Sequence, residues 1–138
     1  MQGRTETTEQ QTVIEWAQLM AHRYPALLNL YHVPNEGKRS RAAGAQLKAA
    51  GLKPGVPDLV LACPAGRYHG AYIEMKHGQN RETQDQHDWL LRLQAAGYYT
   101  AVCYTATAAI KQLENYLNLP SGGWMKEPQS GAGYPVLR

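Results

Sequence analysis

Cysteine is nearly absent: Cys63 and Cys103 alone, in 138 residues, are too few for a disulfide-stapled secreted scaffold. Long apolar runs are missing too. The longest, Leu59 to Cys63, falls far short of the roughly 20 residues a membrane span needs. Gln2 to Thr12 holds no apolar side chain, so a secretory leader is not expected. No internal repeat or low-complexity block is present. With secreted, membrane and disordered classes set aside, a soluble protein of the reducing cytoplasm is the expectation. Apolar residues make up 43% of the chain, enough for one real core and not for two.

Acidic residues are missing from one window. None lies between Glu36 and Asp58, while Lys38, Arg39, Arg41, Lys48 and Lys53 all do. The net charge of +3 is mild and does not by itself mark a nucleic-acid binder. The window reads either as a solvated basic face or as a surface that meets phosphates, with Lys38, Arg39, Arg41 and Lys53 as the candidate DNA contacts.

What is present reads as alternating helices and strands. Thr8 and Gln11 have capping-box spacing, and Val13, Trp16, Ala17 and Met20 form a helical stripe, so a helix is expected from Thr8 to about Arg23. Pro25 stops it. A strand is expected over Leu27 to Val33, then a turn at Pro34-Asn35-Glu36-Gly37. An Ala-rich helix follows from about Ser40 to Ala50, closed by Gly51. Two prolines and two glycines between Gly51 and Pro57 exclude regular structure there. Asp58 opens the apolar run to Cys63, a strand buried on both faces. Tyr68 to His77 returns as its hairpin partner. A helix over Glu82 to Ala96, a strand over Tyr98 to Tyr104 and a helix over Ala106 to Asn118 complete the order. The expected fold is α/β, a mixed sheet with helices on its faces. Residues 1–118 form the domain, and residues 119–138 are a Pro/Gly-rich tail with little that packs by itself.

The chemistry concentrates in Asp58, Glu74 and Lys76. Glu74 and Lys76 are two apart on a strand and leave one face, while Ile73 and Met75 point into the core. Hairpin pairing would bring Asp58 within a few ångströms of Glu74. Two converging carboxylates repel unless a cation lies between them, and hard cations, Mg²⁺ above all, favour such ligands. A lysine beside that cation can orient a water or meet charge building on a phosphate. The triplet alone is weak evidence. Glu36-Gly37-Lys38 matches it too, in a turn with no flanking strand, and a solvated same-face ion pair is the ordinary alternative. The pinned Gly-x-Pro-Asp entry and the correct alternation of Tyr72-Ile73-Glu74-Met75-Lys76 strengthen it. The five histidines, His22, His32, His69, His77 and His87, have no zinc spacing. Cys63 and Cys103 read as core thiols in strands, and no nucleotide-cradling Gly-rich loop occurs.

Gly55-Val56-Pro57-Asp58-Leu59, Tyr72-Ile73-Glu74-Met75-Lys76, Gln86-x-x-Trp89 and Gly97-Tyr98 together resemble the virus-type replication-repair nuclease (VRR-NUC) domain of the PD-(D/E)xK nuclease superfamily. His32 to Gly37 looks like that family's Pro-Asn-Gly-Gly loop, with Glu36 in place of one glycine. The resemblance covers about Glu9 to Leu117. It implies a restriction-endonuclease-like core in which Asp58, Glu74 and the Met75 carbonyl bind Mg²⁺ or Mn²⁺ and Lys76 is the catalytic lysine. It also implies a site role for a glutamine on the following helix. Gln86 matches best, since it shares a stripe with Trp89, Leu90 and Leu93, and Gln84 falls off that stripe. The family places an acid on the first helix, for which Glu6, Glu9 and Glu15 are available. Glu9 is chosen because it sits in the first turn, ahead of the buried stripe. The implied activity is metal-dependent cleavage of branched DNA, as in Holliday-junction resolution by a homodimer in a bacterial or phage-infected cell. A flap or restriction-type nuclease and a catalytically silent DNA-binding module are the alternatives.

Overall fold

An antiparallel hairpin with a nine-residue connection, 62–70, lies inside the sheet, and the remaining elements are added to its faces and edges. The computed structural model describes residues 5–34, 40–126 and 130–138. In chain order the elements are α1 (Glu6–Met20), a 3-10 helix (Pro25–Asn29), β1 (Leu30–His32), α2 (Arg41–Ala49), β2 (Leu59–Leu61), β3 (Ala71–Met75), α3 (Gln84–Ala95), β4 (Tyr99–Cys103), α4 (Ala106–Leu117) and β5 (Val136–Leu137). The strands form one sheet in the order β1-β2-β3-β4-β5. The pairs β1/β2 and β2/β3 are antiparallel, and β3/β4 and β4/β5 are parallel. This is the mixed α/β sheet that the sequence pattern leads one to expect.

One face of the sheet carries Leu59, Leu61, Ile73, Met75, Ala101 and Cys103, which pack with Val13 of α1 and Ala109, Leu113 and Tyr116 of α4. The opposite face is smaller: Val102 and Tyr104 pack with Leu90 of α3 and Tyr134. Helices therefore cover both faces, and β2 is buried along its whole length, as its unbroken apolar run requires.

Three elements differ from expectation. Helix α1 starts three residues early, because Thr5, not Thr8, is the N-cap. The Thr8 amide donates to Thr5 Oγ1 at 3.2 Å and the Thr5 amide donates to Thr8 Oγ1 at 2.7 Å. Thr5 and Thr8 share the i, i+3 spacing of Thr8 and Gln11, and the upstream pair forms the reciprocal cap. The segment after Pro25 is not a strand throughout. Proline at the first helical position favours a turn of 3-10 helix, which buries Leu27 and leaves only Leu30–His32 extended. Cys63 lies beyond β2 and is half-buried, so it is not a strand residue, whereas Cys103 is a buried thiol in β4. The expected turn at Asn35-Glu36-Gly37 falls outside the described residues.

The largest departure is in the tail, which packs. Val136 and Leu137 pair in parallel with Val102 and Cys103. Tyr134 is 0% exposed. Its hydroxyl donates to Glu82 Oε2 at 2.6 Å and lies 2.8 Å from His87 Nδ1, joining the tail to the start of α3. Tyr134→Ala should therefore destabilise the protein by about 3–5 kcal/mol, the range for emptying an aromatic core site. Tyr134→Phe should cost about 1–3 kcal/mol by stranding polar partners. Urea midpoints measure both. A loss under about 0.5 kcal/mol for the alanine variant would make the tail dispensable to the core.

Candidate active site

The loop ahead of β2 is locked to α3 before any polar chemistry begins. Gly55 has φ +87°, and a Cβ there would meet the Asp85 carbonyl carbon at 2.6 Å and the Gln86 nitrogen at 2.7 Å. Only glycine permits that approach and that backbone. The Trp89 indole donates to the Pro54 carbonyl at 3.0 Å, with the Arg92 guanidinium 4.6 Å from the ring centre. Trp89 is half-buried: it fastens the loop to α3 and does not enter the core. This clamp fixes where Asp58 emerges. Leu59 pairs with Ile73, so one further step of antiparallel register sets Asp58 opposite Glu74. The Met75 amide donates to Asp58 Oδ2 at 3.0 Å.

Glu74 has no solvent exposure. Its Oε2 accepts from Gln86 Nε2 at 3.1 Å and lies 3.4 Å from Lys76 Nζ. Its Oε1 is buried and has no hydrogen-bond partner. Burial, then the neighbouring Asp58 carboxylate, pushes the Glu74 pKa up from 4.5 to about 9, against the opposing pull of the Lys76 ammonium. A buried charge is tolerated only with matched partners, and one lysine does not balance two carboxylates. With nothing else in the site, Glu74 holds a proton at neutral pH.

Lys76 is itself buried, with Glu6 Oε1 4.0 Å from its ammonium. Glu9 is also buried, but its Oε2 accepts from the Ala106 amide at 2.7 Å. That amide is an orphan donor in the first turn of α4, where a carboxylate also meets the helix dipole. Of the first-helix acids, Glu6 is thus the one that reaches Lys76, Glu9 is spent on α4, and Glu15 is exposed. The early start of α1 moves Glu6 into its first turn, which a cap placed at Thr8 hides. Gln86 carries two duties at once: its Oε1 accepts from the Thr83 amide at 2.9 Å as part of the cap of α3, and its Nε2 holds Glu74. Gln84 instead donates to Asp88.

The basic residues stand apart from this cluster. Arg41 is exposed at the start of α2, and Lys53 is exposed in the loop before Asp58. Lys53 lines a cavity of about 310 Å³ with Lys48, Arg92, Asp85 and Asp88. Lys38 and Arg39 fall outside the described residues.

A divalent cation suits this donor set. Among the described residues no three His, Cys, Asp or Glu side chains converge, so the side chains offer two carboxylates. Mg²⁺ is commonly bound by one or two carboxylates, with waters and substrate phosphate completing its shell. The unpartnered Glu74 Oε1 beside Asp58 is the atom such an ion would satisfy, and Asp58, Glu74 and the Met75 carbonyl are the groups that would hold it.

Comparison with known proteins agrees with this arrangement. A family model described as the VRR-NUC domain matches residues 4–107. A solved structure described as a VRR_NUC domain protein is 28% identical, covering 88% of this chain and 97% of its own, with a TM-score of 0.75. No curated protein matches. No described helix is long and apolar enough to cross a membrane.

The raised Glu74 pKa has a measurable consequence. The folded protein retains a proton there that the unfolded chain loses above about pH 4.5, so this group makes stability fall as pH rises from 4.5 toward about 9. Glu74→Gln should flatten that decline in melting temperature. Mg²⁺ should raise the wild-type Tm more at pH 8 than at pH 6, because less proton has to be displaced. Equal Mg²⁺ shifts at the two pH values would separate the cation from Glu74.

Proposed function

The chain belongs to the VRR-NUC domain family, a nuclease-type family, and from that premise we propose that it is a divalent-metal-dependent endonuclease that hydrolyses phosphodiester bonds in branched DNA. The observation that carries the reading is the buried Glu74 carboxylate, with one oxygen held by Gln86 and Lys76 and the other left without a partner beside Asp58. An arrangement built only for stability would not bury one carboxyl group beside a second.

Each side chain has a distinct task in the proposed reaction, in which water adds across a P–O ester bond. Asp58 and Glu74, with the Met75 carbonyl, hold Mg²⁺ or Mn²⁺. When bound, that ion polarises the phosphoryl group and favours an ionised water. Gln86 fixes Glu74 Oε2, so that Oε1 would be the oxygen available to the ion. Lys76, held 3.4 Å from Glu74, orients the attacking water and meets charge that builds on the phosphate. Glu6 keeps the ammonium at the mouth of the site. Lys38, Arg39, Arg41 and Lys53 contact phosphates and position the duplex without reading bases.

Resolving a four-way junction requires two incisions, and a homodimer would supply two sites. An apolar groove between α1 and the 3-10 helix supports pairing with a second copy. It is lined by Ile14, Ala17, Leu27, Leu28 and Leu30, with Leu28 77% exposed, and it borders the outer strand β1.

Asp58→Asn and Glu74→Gln should each abolish Mg²⁺-dependent cleavage of labelled junction, flap, splayed-arm and linear duplex substrates, while DNA binding persists. Each removes a ligand charge with little change in size. Near-wild-type cleavage by either variant would sink the site assignment. A wild-type protein that binds DNA and cuts none of the four substrates would be a binding module.

Lys76→Ala should bind the cation at least as tightly as wild type, since a nearby positive charge is gone. Turnover should nevertheless fall by roughly a hundredfold or more. A loss of metal affinity instead would make Lys76 a support for the carboxylates.

A further inference from the structure

Strands β3, β4 and β5 are parallel, so their C-terminal ends lie along one sheet edge. Lys76 follows β3 and Arg138 follows β5 on that edge. Arg138 reaches toward the site: its Nη1 lies 3.5 Å from the Gly78 carbonyl, and its guanidinium stacks 4.0 Å from the centre of the Tyr104 ring.

From Arg138 a groove runs down the outer side of α4. It comprises two adjoining cavities, of about 440 and 480 Å³, that share Asn115 and Lys126. Lys111, Lys126 and Arg138 line the first, Trp124 lines the second, and among the described residues no acidic side chain lines either. The twelve residues of α4 give the groove a length of about 18 Å. Trp124 is 58% exposed, yet its segment is firmly held. The Arg67 Nε donates to the Gly122 carbonyl at 2.9 Å, the Met125 amide donates to the Tyr68 hydroxyl at 3.1 Å, and the Arg67 guanidinium lies 4.9 Å from the Trp124 ring centre.

We infer that this groove binds a single-stranded DNA segment, with Lys111, Lys126 and Arg138 on its phosphates and Trp124 as a stacking platform for a base. The inference rests on the nuclease reading for the kind of ligand that arrives, while the groove itself is argued from charge and shape. A groove lined by more cations than acids favours a polyanion, even with Glu114 in the adjoining cavity. A held, exposed tryptophan adds what a duplex does not need, because the bases of a duplex are already stacked. The groove begins at Arg138, two strands from Lys76 on the same sheet edge, so an unpaired arm leaving the site along that edge would enter it.

Binding of a fluorophore-labelled oligothymidylate to the full chain in chelator, across a salt series, tests this without any cleavage. Lys111→Ala with Lys126→Ala should flatten the slope of log affinity against log salt by about 1.4, since each single-strand phosphate contact contributes about 0.7. Trp124→Ala should weaken binding roughly tenfold or more with the slope unchanged. Trp124→Phe should keep most of the affinity and lose the quenching of intrinsic tryptophan fluorescence that oligothymidylate causes. An unchanged salt slope in the lysine double variant, quenching that survives Trp124→Phe, or equal affinity for a duplex of the same length would each overturn the inference. Junction cleavage by the same preparation in Mg²⁺ keeps the two readings apart. Cleavage with none of the groove effects removes the groove alone, and groove effects without cleavage remove the nuclease reading alone.

Discussion

A carboxylate with no solvent exposure, at the end of a central strand, is the constraint around which this molecule is arranged. Burying Glu74 costs several kcal/mol unless hydrogen bonds and counter-charge offset it, and every element near it contributes part of that offset. Helix α3 brings Gln86, β3 continues into Lys76, and α1 brings Glu6 toward the lysine. Yet β2 presents a second carboxylate, Asp58, which undoes part of the compensation. The apo protein resolves the conflict with a proton. Local rules that are broken where the rest of the fold is consistent mark sites kept for function rather than for stability.

Precision at that point comes from packing that has no chemistry of its own. The Gly55 backbone lies so close to α3 that a methyl group would collide with it, and the Trp89 indole ties Pro54 to the same helix. The two contacts couple the position of Asp58 to that of Gln86, so the ends of β2 and α3 move as one body. Tyr134 adds a third tie, from the tail to Glu82 and His87 at the start of α3. The first turn of α3 is thereby held from the β2 loop, from β3 and from the tail. A carboxylate pair proposed to share one ion would need that rigidity.

The parts of this arrangement that follow from local pattern are legible in the sequence. Asp58, Glu74 and Lys76 stand out because a strand repeats every two residues, and hairpin register turns that repeat into proximity. Gln86 stands out because it shares the helical stripe of Leu90 and Leu93. What local pattern does not encode is choice among equals. Thr5 and Thr8 offer the same capping spacing one turn apart, and the outcome decides which acid faces Lys76 and which caps α4. The tail is hidden for another reason. A two-residue strand and one tyrosine carry no periodicity, and Tyr134 is buried only because β4 and α3 leave a place for it. Pro25 shows a third case, in which the residue that ends one helix also begins a turn of another.

Charge on the two sides of the site is unequal, and the inequality has a direction. Beside Asp58, the cavity that holds Lys48, Lys53 and Arg92 also holds Asp85 and Asp88, which leaves one net positive charge. Along α4 the three cations meet no carboxylate among the described residues that line the groove, and Arg138 follows the strand that ends on the same sheet edge as β3. The site itself offers no excess positive charge until a cation is bound, because the Asp58 carboxylate offsets the Lys76 ammonium while Glu74 keeps its proton. On the proposed activity, a DNA backbone would be drawn first to the α4 side and would reach the carboxylates only once an ion supplies positive charge there. The proposed binding order follows from that asymmetry: the positive flank would hold nucleic acid without metal, whereas seating a scissile phosphate against Glu74 and Asp58 would require it.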